Sequence, residues 1–352
     1  MYILFLVLLI ACTLLSPDFL TLNNIINLGR QQSGLLIISM GLLFVIMTSG
    51  IDLASGAVMA LTSVLMTFCL TTHQMSMAVS VLISLLAGAL TGFCSGIMVS
   101  CIKMAPFIVT LAMQIIARGL AYVISNGNPV LAPPDGIEKL GVGSVGAVPT
   151  LVILSALIVG IFYFLQHHTT YGRITLAIGS NEKAVHLAGI RVSRYITAVY
   201  TIAGICSAIA GIISVSRTGI GTPQVGSGVE TDAIAACVIG GANMMGGEGS
   251  VLKTVVGVFV LALIRNIMNL LAIPSYPQDI IKGAVIILAV LLQTVTYEKY
   301  LKSAKTKDER TTVMMPGEIE WNNIQAAEVG IDLPLDVVSE LDMLKEMVAE
   351  KS

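Results

Sequence analysis

The chain has 352 residues, 55% of them hydrophobic and only 11% charged, with a mean hydropathy of +0.90. Soluble domains carry roughly 25% charged residues, so the composition excludes a soluble enzyme and indicates a polytopic membrane protein. The net charge of −2 hides an asymmetry: residues 1–296 carry +3 and residues 297–352 carry −5, and a single Trp leaves no base-stacking surface for nucleic acid.

In chain order, Tyr2–Leu15 is apolar and ends at Ser16-Pro17. It lacks the basic start and small-residue cleavage site of a secretory signal, so it reads as a first span, shorter than the usual ~20 residues. Asp18–Gln32, with Asn23, Asn24 and Asn27, reads as an interfacial segment, and Gly34–Ser49 as a second span. Gly50-Ile51-Asp52-Leu53-Ala54-Ser55-Gly56 then interrupts the apolar run before a third span ending near Leu70. A charge at membrane depth costs at least ~2.5 kcal/mol, so Asp52 must be capped or face a cavity. The flanking Gly50 and Ser55-Gly56 suggest a broken helix whose new N-terminus Asp52 caps, with direct solute contact the alternative.

Met77–Ser100 is a fourth span, with Gly88, Gly92 and Gly96 forming a stripe along which another helix can approach closely. Lys103 and Pro106 mark a turn into a fifth span, Phe107–Ser125. A Gly/Pro-rich loop, Asn126–Pro149, and a sixth span, Thr150–Leu165, follow.

Thr169–Arg194 is the longest polar interruption before residue 296, with Arg173, Lys183, Arg191 and Arg194 against the single acid Glu182. Within it Asn181–Gly189 predicts a short helix: Asn181 as N-cap, Glu182 in the first turn, Gly189 as terminator. Ala184, Leu187 and Ala188 give it a small apolar face. A basic, structured loop of this length is an expected docking surface.

Ile196–Val215 is a seventh span that repeats the small-residue spacing at Ala203, Ser207 and Gly211. Asp232–Ala242 predicts a short apolar helix, with Glu230 and Asp232 at its start, and Asn243–Ser250 a tight glycine turn. Val251–Leu271 and Ile280–Val295 complete ten expected spans, some of them discontinuous. The expected fold is therefore an all-α polytopic membrane protein, with a transmembrane domain over 1–296 and an acidic soluble tail over 297–352. In the tail, Val337, Val338, Leu341, Leu344 and Val348 share one helical face, either an ordinary tail helix or a docking element. With Thr169–Arg194 cytoplasmic, six basic loop residues lie inside against three outside, which places both termini in the cytoplasm.

The six cysteines fall in or beside apolar runs without metal-ligand spacing, so they read as small hydrophobes. His167-His168 lacks a third ligand nearby and reads as a solvated pair; no metal site is expected. Arg118 and Arg265 either snorkel to the outer interface or pair with Asp52, Glu230 or Asp232. No nucleophile–base set appears, and no Gly-Lys pair for a phosphate-binding loop occurs anywhere, so any nucleotide-driven work belongs to another subunit.

Residues 15–296 resemble the permease subunits of ribose-type sugar importers of the ATP-binding-cassette class. The resemblance rests on Gly50-Ile51-Asp52-Leu53, Pro106-Phe107-Ile108-Val109-Thr110-Leu111 with Ala117-Arg118-Gly119, and Tyr171-Gly172-Arg173 through Ala188-Gly189-Ile190. It also rests on Glu230-Thr231-Asp232-Ala233 with Ile239-Gly240-Gly241, Gly246-Gly247 with Gly249-Ser250, and Asp279-Ile280-Ile281-Lys282-Gly283. Ala105 in place of a second proline and Thr231 in place of Leu depart from the pattern.

The resemblance implies a bacterial inner-membrane permease that is not itself an enzyme and forms a path for a small polar solute, ribose first among monosaccharides. A nucleoside or an autoinducer on the same machinery is the alternative; a secondary transporter or channel is the alternative of another class. The implied partners are a second permease subunit, two ATP-binding subunits or one fused tandem ATPase, and an external solute-binding protein. ATP and Mg would sit on the partner, with no cofactor in this chain. Arg173, Gly179, Asn181, Glu182, Ala184, Ala188 and Gly189 are the implied coupling residues. Asp52, Ser55, Phe107, Thr110, Glu230, Asp232 and Asn266 are the implied positions on the solute path or at broken helices.

Overall fold

A computed structural model describes residues 2–133, 137, 141–146, 148–274, 276–285 and 287. Eleven helices have defined bounds: α1 Tyr2–Leu15, α2 Leu22–Met47, α3 Ser55–Thr71, α4 Met77–Ser100, α5 Pro106–Ser125, α6 Thr150–His168, α7 Thr170–Ser180, α8 Glu182–Leu187, α9 Val192–Thr218, α10 Val229–Ile239 and α11 Val251–Leu270. Residues 276–285 form a further helix, α12. Two-residue ladders pair Val130–Leu131 with Ile220–Gly221 and Ser144–Val145 with Val148–Pro149 in the loops.

Among the described residues six helices (α2, α4, α5, α6, α9 and α11) are long and apolar enough to cross a membrane, and α3 and Leu4–Leu15 of α1 are shorter apolar helices. The expected span Ile280–Val295 lies mostly, and the acidic tail 297–352 wholly, outside the described residues.

Two expectations about helix bounds need correction. The polar run Asp18–Gln32 is not outside the second helix, because α2 begins at Leu22. Thr21 caps it, accepting from Asn24 N–H, and the side chain of Asn24 finds its polar partner in Asn266 of α11. Thr169–Arg194 is not one loop around a short helix: α6 runs on to His168 and a second helix, α7, follows at once. Thr169 ends α6 and caps α7, its hydroxyl accepting from Gly172 N–H.

Helix α9 packs on α2, α3 and α4. In lipid there is no hydrophobic drive between helices, so close packing must hold them, and small residues permit it. A Cβ at Gly88, Gly92 or Gly96 would collide with backbone at Gly204, Tyr200 or Thr197 of α9. Gly41 of α2 meets Ala203 and Cys206, and Gly211 meets Met59 and Thr62 of α3. The glycine stripe is thus a packing surface. An aromatic stack joins α2, α6, α7 and α9: Phe44 lies 5.2 Å from Phe162 and 6.2 Å from Tyr171, which lies 5.7 Å from Tyr195. Each such pair adds roughly 0.5–1.5 kcal/mol beyond area burial. Leu86, Leu90, Ile115, Val123 and Leu157 are exposed outward from α4, α5 and α6, an arrangement suited to lipid rather than water.

Candidate translocation and coupling sites

The chain is interrupted between α2 and α3. Ser49 adopts a left-handed conformation (φ 61°), and at Gly50 a Cβ would press on Tyr200 Oη at 2.6 Å and Val45 Cγ1 at 2.9 Å. Asp52, 6% exposed, then satisfies the start of α3: Oδ1 accepts from Ala54 N–H and Oδ2 from the Ser55 hydroxyl, each at 2.8 Å. The carbonyl of Ile51 accepts from Thr110 Oγ1 at 3.2 Å and Tyr200 Oη at 3.3 Å. Irregular backbone at membrane depth is tolerated only when its polar groups are satisfied in this way. Asp52, Ser55 and Thr110 thus belong to one cluster.

Glu230 and Asp232 occupy the first turn of α10, where the helix dipole favours acids. Close approach at Gly56, where a Cβ would collide with Glu230 Oε2 and Gly226 O, brings Glu230 against the N-terminal turn of α3. Glu230, 7% exposed, accepts from Gln114 Nε2 at 3.3 Å through Oε1. Asp232, 5% exposed, is held by two cations: Arg265 Nη2 lies 3.0 Å from Oδ2 and Lys282 Nζ 2.9 Å from Oδ1. Arg118 is bound differently, its Nη1 donating to the carbonyls of Pro223 at 2.6 Å and Val225 at 2.9 Å. It buttresses the loop ahead of α10.

A second cluster lies at the end of α7. A Cβ at Gly179 would collide with Met47 O and Gly247 N, and Gly247 N–H donates to Met47 O at 3.0 Å. The Ser49 hydroxyl completes the joint on Met245 O at 2.6 Å. Three backbones, from α2, α7 and the 243–250 turn, therefore meet directly.

Helix α8 projects from this joint. Asn181 Oδ1 accepts from Ala184 N–H at 3.0 Å, and Gly189 closes the helix at φ 81°, donating to His186 O. The helix is anchored by buried Val185, whereas the apolar face expected at Ala184, Leu187 and Ala188 is turned outward, Leu187 being 86% exposed. Gly189 has no atom of this chain within 4 Å of its would-be Cβ. Arg173, Lys183, Arg191 and Arg194 are not buried either. The face is apolar, and the segments on either side of it carry exposed cations.

A family model described as branched-chain amino acid transport system / permease component matches residues 24–290. The chain belongs to this family of permease components. It is 38% identical to the ribose import permease protein of Escherichia coli (strain K12) over 82% of this chain and 90% of that one. Identity to the ribose import permease protein of Bacillus subtilis (strain 168) is 39%, over 81% and 89%. Identity to the L-arabinose transport system permease protein of Escherichia coli (strain K12) is 35%, over 87% and 91%. No solved structure matches the chain significantly.

Two of the permease's expected path residues join these clusters only at their edges: the Phe107 carbonyl accepts from Thr110 Oγ1 at 3.4 Å, and Asn266 follows Arg265 in α11. Phe107 is 51% exposed at the start of α5, and Asn266 is engaged with Asn24 at 2.8–3.0 Å. Conversely, the sequence alone gives no role to Gln114, Tyr200 or Gln166, and Lys282 stands there only within a motif. Gln166, buried at the end of α6, accepts from Val251 N–H and donates to Gly249 O, so it fixes the start of α11. The available signal was a lone glutamine inside an apolar span, which must find a partner. His167 and His168 stack on Tyr163 and Phe164, and among the described residues no three His, Cys, Asp or Glu side chains converge as for a metal ion.

Proposed function

We propose that this permease is the membrane-spanning subunit of an ATP-driven importer for a monosaccharide, with ribose the first candidate. The outward-facing helix α8 carries the reading: Ala184, Ala188 and Gly189 leave a shallow surface for a partner, and its base is joined directly to the interrupted helix pair α2–α3. Force applied by an ATP-binding subunit at α8 would reach the break beside Asp52. The names of the ribose and arabinose relatives favour a sugar over the amino acid in the family's description.

On this reading ten spans cross the bacterial inner membrane, with both termini and α8 cytoplasmic. Two permease subunits, identical or paired with a related chain, enclose the path. Two ATP-binding subunits, or one fused tandem ATPase, dock on α8 through Arg173, Glu182, Ala184, Ala188 and Gly189 and carry ATP and Mg. A solute-binding protein delivers the sugar outside. Asp52, Ser55, Thr110 and Glu230 border the path, while this chain itself performs no hydrolysis.

The test is uptake of D-ribose by vesicles holding the permease and its ATP-binding subunit, with binding protein outside and ATP inside. Uptake should require ATP and fall steeply in Ala184→Trp and Gly189→Trp. Neither change meets resistance from the surrounding fold, although the second also strains a left-handed backbone position. Uptake that proceeds without ATP, or that ignores Ala184→Trp, overturns the proposal.

A further inference from the structure

A cavity of about 230 Å³ opens between α2, α10, α11 and α12. Its wall holds Asp232, Arg265 and Lys282, the ion-paired group already described, together with Asp279, whose Oδ1 lies 3.6 Å from Lys282 Nζ. The amides of Asn269 and Gln278 complete the rim, Gln278 Nε2 donating to Asn269 Oδ1 at 2.9 Å. At the inner wall Gln32 is 5% exposed, and its amide has no hydrogen-bond partner among the described residues. The side chain is otherwise enclosed, so its amide groups are left to what the cavity holds.

We propose that this cavity is a binding station for a neutral, polyhydroxylated solute, an inference that rests on the reading of the chain as a sugar permease. The size suits a monosaccharide, lying below the roughly 300–1,000 Å³ of pockets for drug-sized ligands. The charges decide the ligand class. Two cations and two carboxylates line the cavity and neutralise one another at 2.9–3.6 Å, so a net-charged ligand would bring in uncompensated charge. An amino acid zwitterion would have to break those ion pairs to be held by them. Hydroxyl groups break nothing. A guanidinium has five donors and each carboxylate several lone pairs, so the paired groups keep capacity for O–H partners, and the three amides supply donors and acceptors that hydroxyls match.

The experiment uses vesicles containing the permease, as Asn269→Cys, with its ATP-binding subunit and no binding protein. Alkylation of the introduced thiol by N-ethylmaleimide is timed with and without D-ribose, and the native exposed Cys101 in the same molecule serves as internal control. D-ribose should slow alkylation at position 269 several-fold and leave Cys101 unchanged, whereas ribose 5-phosphate and L-leucine should protect neither. Gln32→Leu should raise the half-protecting D-ribose concentration several-fold. If Asn269→Cys fails to fold, Gln278→Cys is read in the same way. Absence of D-ribose protection, or equal protection by L-leucine or ribose 5-phosphate, overturns the station. Adding binding protein and ATP to the same vesicles then reads the transport proposal separately: ATP-driven D-ribose uptake without protection removes only the station, and protection without uptake removes only the transport reading.

Discussion

Lys103 Nζ lies 2.7 Å from Glu182 Oε1, joining the turn between α4 and α5 to the first turn of α8. Both side chains are about half exposed, at 61% and 48%, so the pair adds only ~0.2–1 kcal/mol to stability. Its consequence is orientation. Glu182→Lys should leave the melting temperature within error, cut ATP-driven uptake, and recover part of it when Lys103→Glu is added. A swap that restores nothing would remove the pair from any role in coupling.

The glycine stripe makes a prediction with its own control. Gly92→Val drives side-chain atoms into Tyr200 O and Thr201 Cα of α9, an overpacking that typically costs ~1–3 kcal/mol. Gly119 on α5 meets nothing within 4 Å, and Gly119→Ala should be neutral or stabilising, since Ala is the better helix former. Thermal melting in detergent separates the two. Equal melting temperatures would mean that the α4–α9 contact is not close in the folded protein.

Asp232 with two cations predicts asymmetric losses. Asp232→Asn leaves Arg265 and Lys282 without that carboxylate and should destabilise, by less than the ~3–5 kcal/mol of a fully buried pair because Arg265 is 46% and Lys282 23% exposed. Arg265→Leu alone should cost less, because Lys282 remains at 2.9 Å. The double change Arg265→Leu, Lys282→Leu should then exceed the sum of the single ones, a coupling that a double-mutant cycle in thermal or denaturant melts reads directly. Strict additivity would show that the two cations do not share the acid.

Orientation in the bilayer can be read chemically. Cysteines introduced in place of Lys183 and Asn128, both exposed positions, should react oppositely in intact cells with a membrane-impermeant maleimide: 128 labelled and 183 not. Labelling of 183 in sealed cells would invert the topology on which coupling depends.

Much of this architecture is legible from apolar run lengths and small-residue spacing. Gly88, Gly92 and Gly96 announce their partner helix, and Asn181 and Gly189 announce both ends of α8. The acid of Asp52 beside Gly50 marks the break because an unsatisfied charge in lipid costs too much to be accidental. Helix limits are harder to read. Asn24 and Gln32 make the start of α2 look interfacial, since the sequence does not say that Asn266 waits 242 positions away to satisfy one of them. Likewise α7 looks like loop until its glycines, Gly172 and Gly179, are seen to be sites of backbone contact rather than helix breakers. What the sequence leaves unsaid is the anchor of α8: a six-residue helix offers one, and Val185 takes it. Which of Glu230 and Asp232 meets Arg265 depends on helix rotation, which periodicity alone leaves free.

The seat of Gly179 on Met47 and Gly247 is made of main chain, and main chain has no rotamers in which to take up slack. A joint of flexible side chains would dissipate a small displacement as local rearrangement, like a rubber bushing. This one has little such slack, with only the Ser49 hydroxyl adding a side chain to it. On the coupling proposal, a tilt imposed on α8 would meet the last turn of α2 directly, and the next element along the chain is the non-helical stretch 50–54. On the same proposal, motion started at the surface would be felt at the hydrogen bonds that Thr110 and Tyr200 make to Ile51, where the chain between two helices is not itself helical.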